Sequence, residues 1–173
     1  MVLQMAKAVG ARVITTAGSS SKRDKCKQLG ADVVILHQQE DVRVALAKEA
    51  PNGVDVFWET LREPDFDLAV QAMATNGRMV VMAGRDARPP FPVGPFYVKG
   101  CSLFGFAMFK ASPESQRRAA EDINHWLSIG KLRAQIDRIL QLEQAAEAHR
   151  LQESNTIAKS GVLHGKIVLN VEH

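Results

Sequence analysis

The stretch VITTAGSSSKRDKCKQLGADVVI, residues 13–35, constrains this chain more than any other. A β-branched run ends in Ala17-Gly18-Ser19. A basic segment of helical length follows, and Gly30 closes it before the apolar run Val33-Val34-Ile35-Leu36. Apolar, β-branched runs bounded by turn residues form strands, and glycine just past a polar run ends a helix. The stretch therefore predicts a strand at 12–16, a helix at 21–29 and a strand at 33–36. The alternation continues. Residues 1–9 read as the end of a helix with Gly10 as C-cap, and 41–49 as a helix broken by Pro51-Asn52-Gly53. Residues 54–58 read as a strand, 65–75 as a helix ending at Asn76-Gly77, and 78–84 as a strand. Short apolar strands separated by helices predict a parallel sheet covered on both faces, an α/β fold.

Beyond residue 84 the texture changes. Residues 85–96, RDARPPFPVGPF, hold four of the seven prolines and read as a loop. CSLFGFAMF, 101–109, is apolar and strand-like. Ser112 is a suitable N-cap and Pro113 a suitable first residue for a helix over 113–129. A strand near 135–139, a helix at 143–151 and a last strand in GKIVLNV complete the pattern. No internal repeat or low-complexity segment interrupts it.

At 173 residues, 46% apolar and 24% charged, the chain is long enough to bury a real core as one soluble domain. No apolar run nears the ~20 residues of a membrane helix. The N-terminus lacks a secretion-type cleavage pattern, so the cytoplasm is the expected location. The net charge of +3 is scattered, and no basic block interleaves with aromatics, which argues against nucleic acid as a partner. Cys26 and Cys101 stand far apart, and the five histidines lack metal-ligand spacing. Reduced structural cysteines and no metal site are expected.

Ligands of open α/β sheets bind beyond the carboxyl ends of the strands, and phosphates bind at helix N-termini. No G-x-G-x-x-G motif separates a first strand from a first helix here. Binders of NAD or S-adenosylmethionine place Asp or Glu at the end of a strand like 12–16, for the ribose hydroxyls. Here that end reads Thr15-Thr16-Ala17-Gly18-Ser19. The missing acid disfavours a methyltransferase. Ser19, Ser20, Lys22 and Arg23 suit a ribose 2′-phosphate through charge-assisted hydrogen bonds. A capping serine beside a solvated basic face accounts for the same residues. This segment alone leaves both readings open.

Taken in order, LQMAKAVGARVITTAGSSSKRDKCKQLGADVVI, GVDVFWET, NGRMVVMAG, YVKGCSLFGF and SGVLHGKIVLNV resemble the medium-chain dehydrogenase/reductase superfamily. The nearest branch is that of the zinc-free NADPH:quinone oxidoreductases and enoyl reductases. The resemblance covers nearly the whole chain. It implies a Rossmann-type doubly wound parallel sheet, with a partial dinucleotide-binding domain at 1–112 and a C-terminal segment, 113–173, packing on it. It implies NADPH (NADP) as cofactor and hydride transfer to a quinone or conjugated carbonyl. It also implies a homodimer through the apolar strand at 101–106, with no nucleic-acid or membrane partner.

Carried over by position, Ser19, Ser20 and Lys22 face the 2′-phosphate, and His37 takes the place of a polar aromatic after the next strand. Glu59 and Thr60 stand where the dinucleotide passes. The family's Asp-x-Val-Gly reads Glu59-Thr60-Leu61-Arg62 here, with arginine in place of glycine. Ala83 and Gly84 match the turn beside the nicotinamide ribose. Phe104 and Phe106 match the strand flanking the nicotinamide, and Lys166 the terminal strand. No catalytic acid or base and no metal ligand is identified.

Family members begin with a separate catalytic domain, and their first Rossmann strand and glycine-rich loop precede the helix at which this sequence opens. The sheet is therefore expected to be N-terminally truncated, with the strands at 12–16 and 54–58 each short of a neighbour. Each unpaired backbone group costs roughly 1–3 kcal/mol if buried. The resemblance implies a place within something longer, with Met1 an internal methionine. The alternative expectation is a non-catalytic dimeric remnant or interaction module without dinucleotide binding.

Overall fold

A computed structural model describes residues 1–158 and 160–171. Its elements run α1 (Val2–Ala8), β1 (Ile14–Ala17), α2 (Ser20–Gln28), β2 (Val33–Leu36), α3 (Val42–Glu49), β3 (Val54–Glu59) and α4 (Phe66–Ala72). They continue with β4 (Met73–Val81), α5 (Val93–Val98), β5 (Ser102–Gly105), α6 (Pro113–Ser128), β6 (Ile136–Gln141), α7 (Ala145–Thr156) and β7 (Lys166–Asn170). The expected α/β alternation is present, and the strand pairs β1·β2, β3·β4, β4·β5 and β6·β7 are all parallel. Among the described residues these make three sheets, β1-β2, β3-β4-β5 and β6-β7. Among the described residues β1 pairs with β2, and β3 with β4. Two compact units result: Met1–Gln38 with Asp122–His173, and Gln39–Glu121.

In the first unit, Ala17, Ala31, Val34 and Leu36 form a core, with Leu3 and Cys26 packed against it. Asp32 locks the entry to the sheet. Its carboxylate accepts from Lys7 Nζ at 2.8 Å and from the Val13 N–H at 2.6 Å. The Lys7 ammonium and that N–H hold the Asp32 carboxyl below the usual range. Gln4, a buried polar residue, donates to the Arg133 carbonyl at 3.1 Å and accepts from the Arg133 N–H at 2.9 Å. That paired amide fixes α1 to the segment carrying Leu132, which is 2% exposed.

In the second unit, Ala69, Val70, Met73 and Met79 are fully buried and meet Phe57, Phe66, Val81, Phe96 and Cys101. Asp65 caps α4 by accepting from the Leu68 N–H at 2.8 Å, and its carboxylate also takes Arg43 Nη2 at 2.9 Å. Two sequence expectations change here. The helix expected at 65–75 stops at Ala72, and Met73 already pairs with Val54 in the sheet. Lys99 explains the early stop. Its ammonium donates to the Val70, Gln71 and Met73 carbonyls at 2.9, 2.8 and 2.8 Å, satisfying the carbonyls of the helix end. Asn76-Gly77 is therefore an irregularity within β4, with Asn76 at φ 62, and not a helix terminus. The proline-rich stretch expected as loop over 85–96 ends in α5 instead. Pro92 is its N-cap and Pro95 lies in its first turn, where no intrahelical N–H is required.

Candidate functional site

The turn from β1 into α2 behaves as its sequence suggests. Ser19, extended at φ −155 and ψ 160, accepts the Lys22 N–H on Oγ at 3.3 Å and starts the helix. Its hydroxyl also lies 3.3 Å from Ser21 Oγ. Ser20, the first helical residue, is exposed. At the end of β2, the His37 N–H donates to the Ala17 carbonyl at 3.2 Å, which brings the imidazole to the same corner. Gly18 makes room for it, because a Cβ there would lie 3.2 Å from His37 Nε2. A cavity of about 350 Å³ opens beside this turn, lined by Thr16, Gly18, Lys22, Lys25, His37 and His164 among others.

Of the expected phosphate residues, Lys22 and His37 line this cavity, while Ser19 and Ser20 stand on the adjoining turn outside its lining. Lys166, the exposed first residue of β7, does not line the cavity. Lys25, Cys26, Gln135, Leu163 and His164 do, and the sequence reading did not single them out. Lys25 and Cys26 lie three and four residues beyond Lys22, on one face of α2, a spacing legible in principle. Gln135 and His164 arrive through the tertiary fold. No carboxylate lines the cavity among the described residues. Burial pushes the Cys26 thiol up from its usual range, so it faces the cavity as a neutral group.

In the second unit, strand register collects the other expected residues. Glu59 pairs with Val81, and Val81 with Gly105, so the carboxyl ends of β3, β4 and β5 are level. Glu59 and Thr60, Ala83 and Gly84, and Phe104 and Phe106 thereby share one sheet edge. Glu59 is 4% exposed, and its Oε1 accepts the Leu61 N–H at 2.7 Å, so its carboxylate closes the turn that follows. Gly84, at φ 80, is crowded: a Cβ there would meet Pro64 at 3.0 Å and the Arg62 carbonyl at 3.2 Å. Phe104 and Phe106 are half exposed, at 51% and 49%. The backbone of Phe106 is tied in by its N–H to the Val81 carbonyl at 3.2 Å. Among the described residues no cluster of His, Cys, Asp or Glu could hold a metal ion, and no helix is long and apolar enough to cross a membrane.

A profile described as "Zinc-binding dehydrogenase" matches residues 1–124, well over half of the chain. The chain belongs to the zinc-binding dehydrogenase family. Within the medium-chain dehydrogenase/reductase superfamily, it is similar to Prostaglandin reductase-3 of Mus musculus, at 34% identity over 140 residues, covering 81% of this chain and 35% of that protein. It is 28% identical over 149 residues to Quinone oxidoreductase of Sus scrofa, covering 84% of this chain and 44% of that protein. The chain thus spans less than half the length of either relative. Among solved structures, an NAD-dependent alcohol dehydrogenase aligns at TM-score 0.80 and 30% identity, covering 98% of this chain and 47% of that one. CurA in complex with NADPH, from Vibrio vulnificus, aligns at TM-score 0.78 and 27% identity, covering all of this chain and 53% of that one. The α/β frame is thus shared with proteins named for different nicotinamide cofactors.

Proposed function

We propose that the chain is the cofactor-binding part of an NADPH-dependent oxidoreductase that transfers hydride to a quinone or conjugated carbonyl. One observation carries the cofactor choice. The cavity at the β1–α2 turn is lined by Lys22, Lys25, His37 and His164 and by no carboxylate among the described residues. That donor set suits a dianionic ribose 2′-phosphate and offers nothing to chelate bare ribose hydroxyls. Lys22 and His37 would hold the phosphate, with Ser20 at the open end of α2 and Ser19 both capping the helix and presenting its hydroxyl. Within the second unit, the family resemblance assigns cofactor contacts to Glu59, Thr60, Ala83, Gly84, Phe104 and Phe106, which stand at the level carboxyl ends of β3, β4 and β5. Bound NADPH would supply the hydride, while the protein positions it and excludes water.

Family membership supports the oxidoreductase class, and relatives named prostaglandin reductase and quinone oxidoreductase support an activated-carbonyl or quinone acceptor. Leu103, Phe104 and Phe106, exposed on and beside the edge strand β5, support a homodimer that pairs this strand with a second copy. Titration of the chain with NADPH and NADH tests the reading. NADPH should bind more tightly, and Lys22→Ala should narrow the difference by roughly tenfold or more, the worth of a charge-assisted hydrogen bond. Equal binding of the two nucleotides refutes the phosphate corner. Binding of neither, in a dimer by light scattering, favours an interaction module.

A further inference from the structure

The cavity beside α2 extends past the residues that the family pattern supplies. One wall comes from the segment leading into β7, where Leu163 is buried and His164 is half-buried. Backbone bonds set this segment. The His164 N–H donates to Asp137 Oδ1 at 3.0 Å, and the Leu163 N–H to Asn155 Oδ1 at 3.1 Å. Gly161 takes the left-handed φ of 69 that favours glycine, and a Cβ there would make an ordinary contact with Lys22 Nζ at 3.8 Å, which places the segment beside α2. Two imidazoles and two ammonium groups, from α2, the end of β2 and the approach to β7, thus line one cavity of about 350 Å³.

The surrounding charges are few. On the α2 side, Lys22, Lys25 and the neutral Cys26 thiol face the cavity, while Asp24 is engaged by Arg23 at 3.4 Å. On the β6 side, Asp137 is engaged by the His164 N–H and by Arg138 Nε at 3.5 Å. Gln135 adds an uncharged amide to the lining.

Resting on the reading that this corner takes a ribose 2′-phosphate, we propose that His164 is a specificity-determining residue. It closes the phosphate pocket from the C-terminal segment and, with His37, adds an imidazole to the lining beside Lys22 and Lys25. A phosphomonoester carries about −1.5 to −2 charges near neutrality. A ring N–H donating to that anion makes a charge-assisted hydrogen bond.

The test is calorimetric titration of the chain with adenosine 2′,5′-bisphosphate, 5′-AMP and inorganic phosphate at one pH. Wild type should bind the bisphosphate at least about tenfold tighter than 5′-AMP, the scale of one charge-assisted bond. His164→Ala should lose at least half of that discrimination with 5′-AMP binding unchanged, and His164→Gln, which keeps a hydrogen-bond donor, should recover part of it. Unaltered discrimination in His164→Ala overturns the role of His164 and leaves the phosphate corner standing. Equal affinity of wild type for bisphosphate and 5′-AMP, or binding of neither, overturns the corner itself. Inorganic phosphate binding as tightly as the bisphosphate marks a free-anion site and also overturns the proposal.

Discussion

Lys99→Met is expected to destabilise the second unit by about 2–3 kcal/mol, and the estimate follows from what the ammonium touches. Its three donors meet the carbonyls of Val70, Gln71 and Met73 at 2.8–2.9 Å, where α4 gives way to β4. A hydrogen bond to a charged group contributes about 1.5–3 kcal/mol. The three bonds do not add, because Lys99 is half-buried and water reaches part of the site once the ammonium is gone. A cation at a helix C-terminus contributes a further 0.3–1 kcal/mol or so. Methionine keeps the aliphatic stem, so packing changes little and the loss reports on the polar head. Arginine, planar and unable to converge on three carbonyls from one nitrogen, should recover only part of the stability. Urea unfolding followed by the fluorescence of Trp58, which lies in β3 of the same unit, reads the effect. A loss below about 0.5 kcal/mol for Lys99→Met is within the range of an ordinary surface change and would refute the account of how α4 ends.

Other expectations follow from single residues. Asp32, held below its usual range by Lys7 and the Val13 N–H, contributes stability that is present above the ordinary carboxylate range and lost as pH falls through its lowered value. Thermal melts from pH 6 to pH 3 should therefore fall less steeply in Asp32→Asn than in wild type. The Cys26 thiol, raised by burial, should react with iodoacetamide at pH 7.5 more slowly than a free cysteine peptide. A faster reaction would mean that the thiol is not desolvated as described. Met79, 0% exposed at the centre of the second unit's core, should cost about 2–5 kcal/mol when cut back to alanine, measured by urea midpoint at constant slope.

Much of the local structure was legible. The β1–α2–β2 unit follows the residues of 12–36 closely, because a strand, a serine cap and a closing glycine act within a few positions of one another. That Lys22 and His37 share one cavity lining follows the family pattern, since His37 carries no local signal of its own. Misreadings came where a distant side chain altered a local rule. Lys99 shortens α4 from across 29 positions, turning Asn76-Gly77 from a helix end into a strand irregularity. The prolines of 85–96 pointed to a loop, yet proline is compatible with a helix's first turn, and α5 begins there.

By itself, the sequence determined most of the strands and helices, that the strands pair in parallel, and that no acid guards the end of β1. These depend on side-chain period, branching and caps, which act over one or two turns of chain. Only the tertiary structure decided that Gln4 grips the Arg133 backbone, that Glu59 closes its own turn while buried, and that His164 shares a cavity with Lys22 and His37. The Gln4 and His164 contacts join residues well over 100 positions apart, and a side chain's partners at that range are set by packing, which no local pattern encodes.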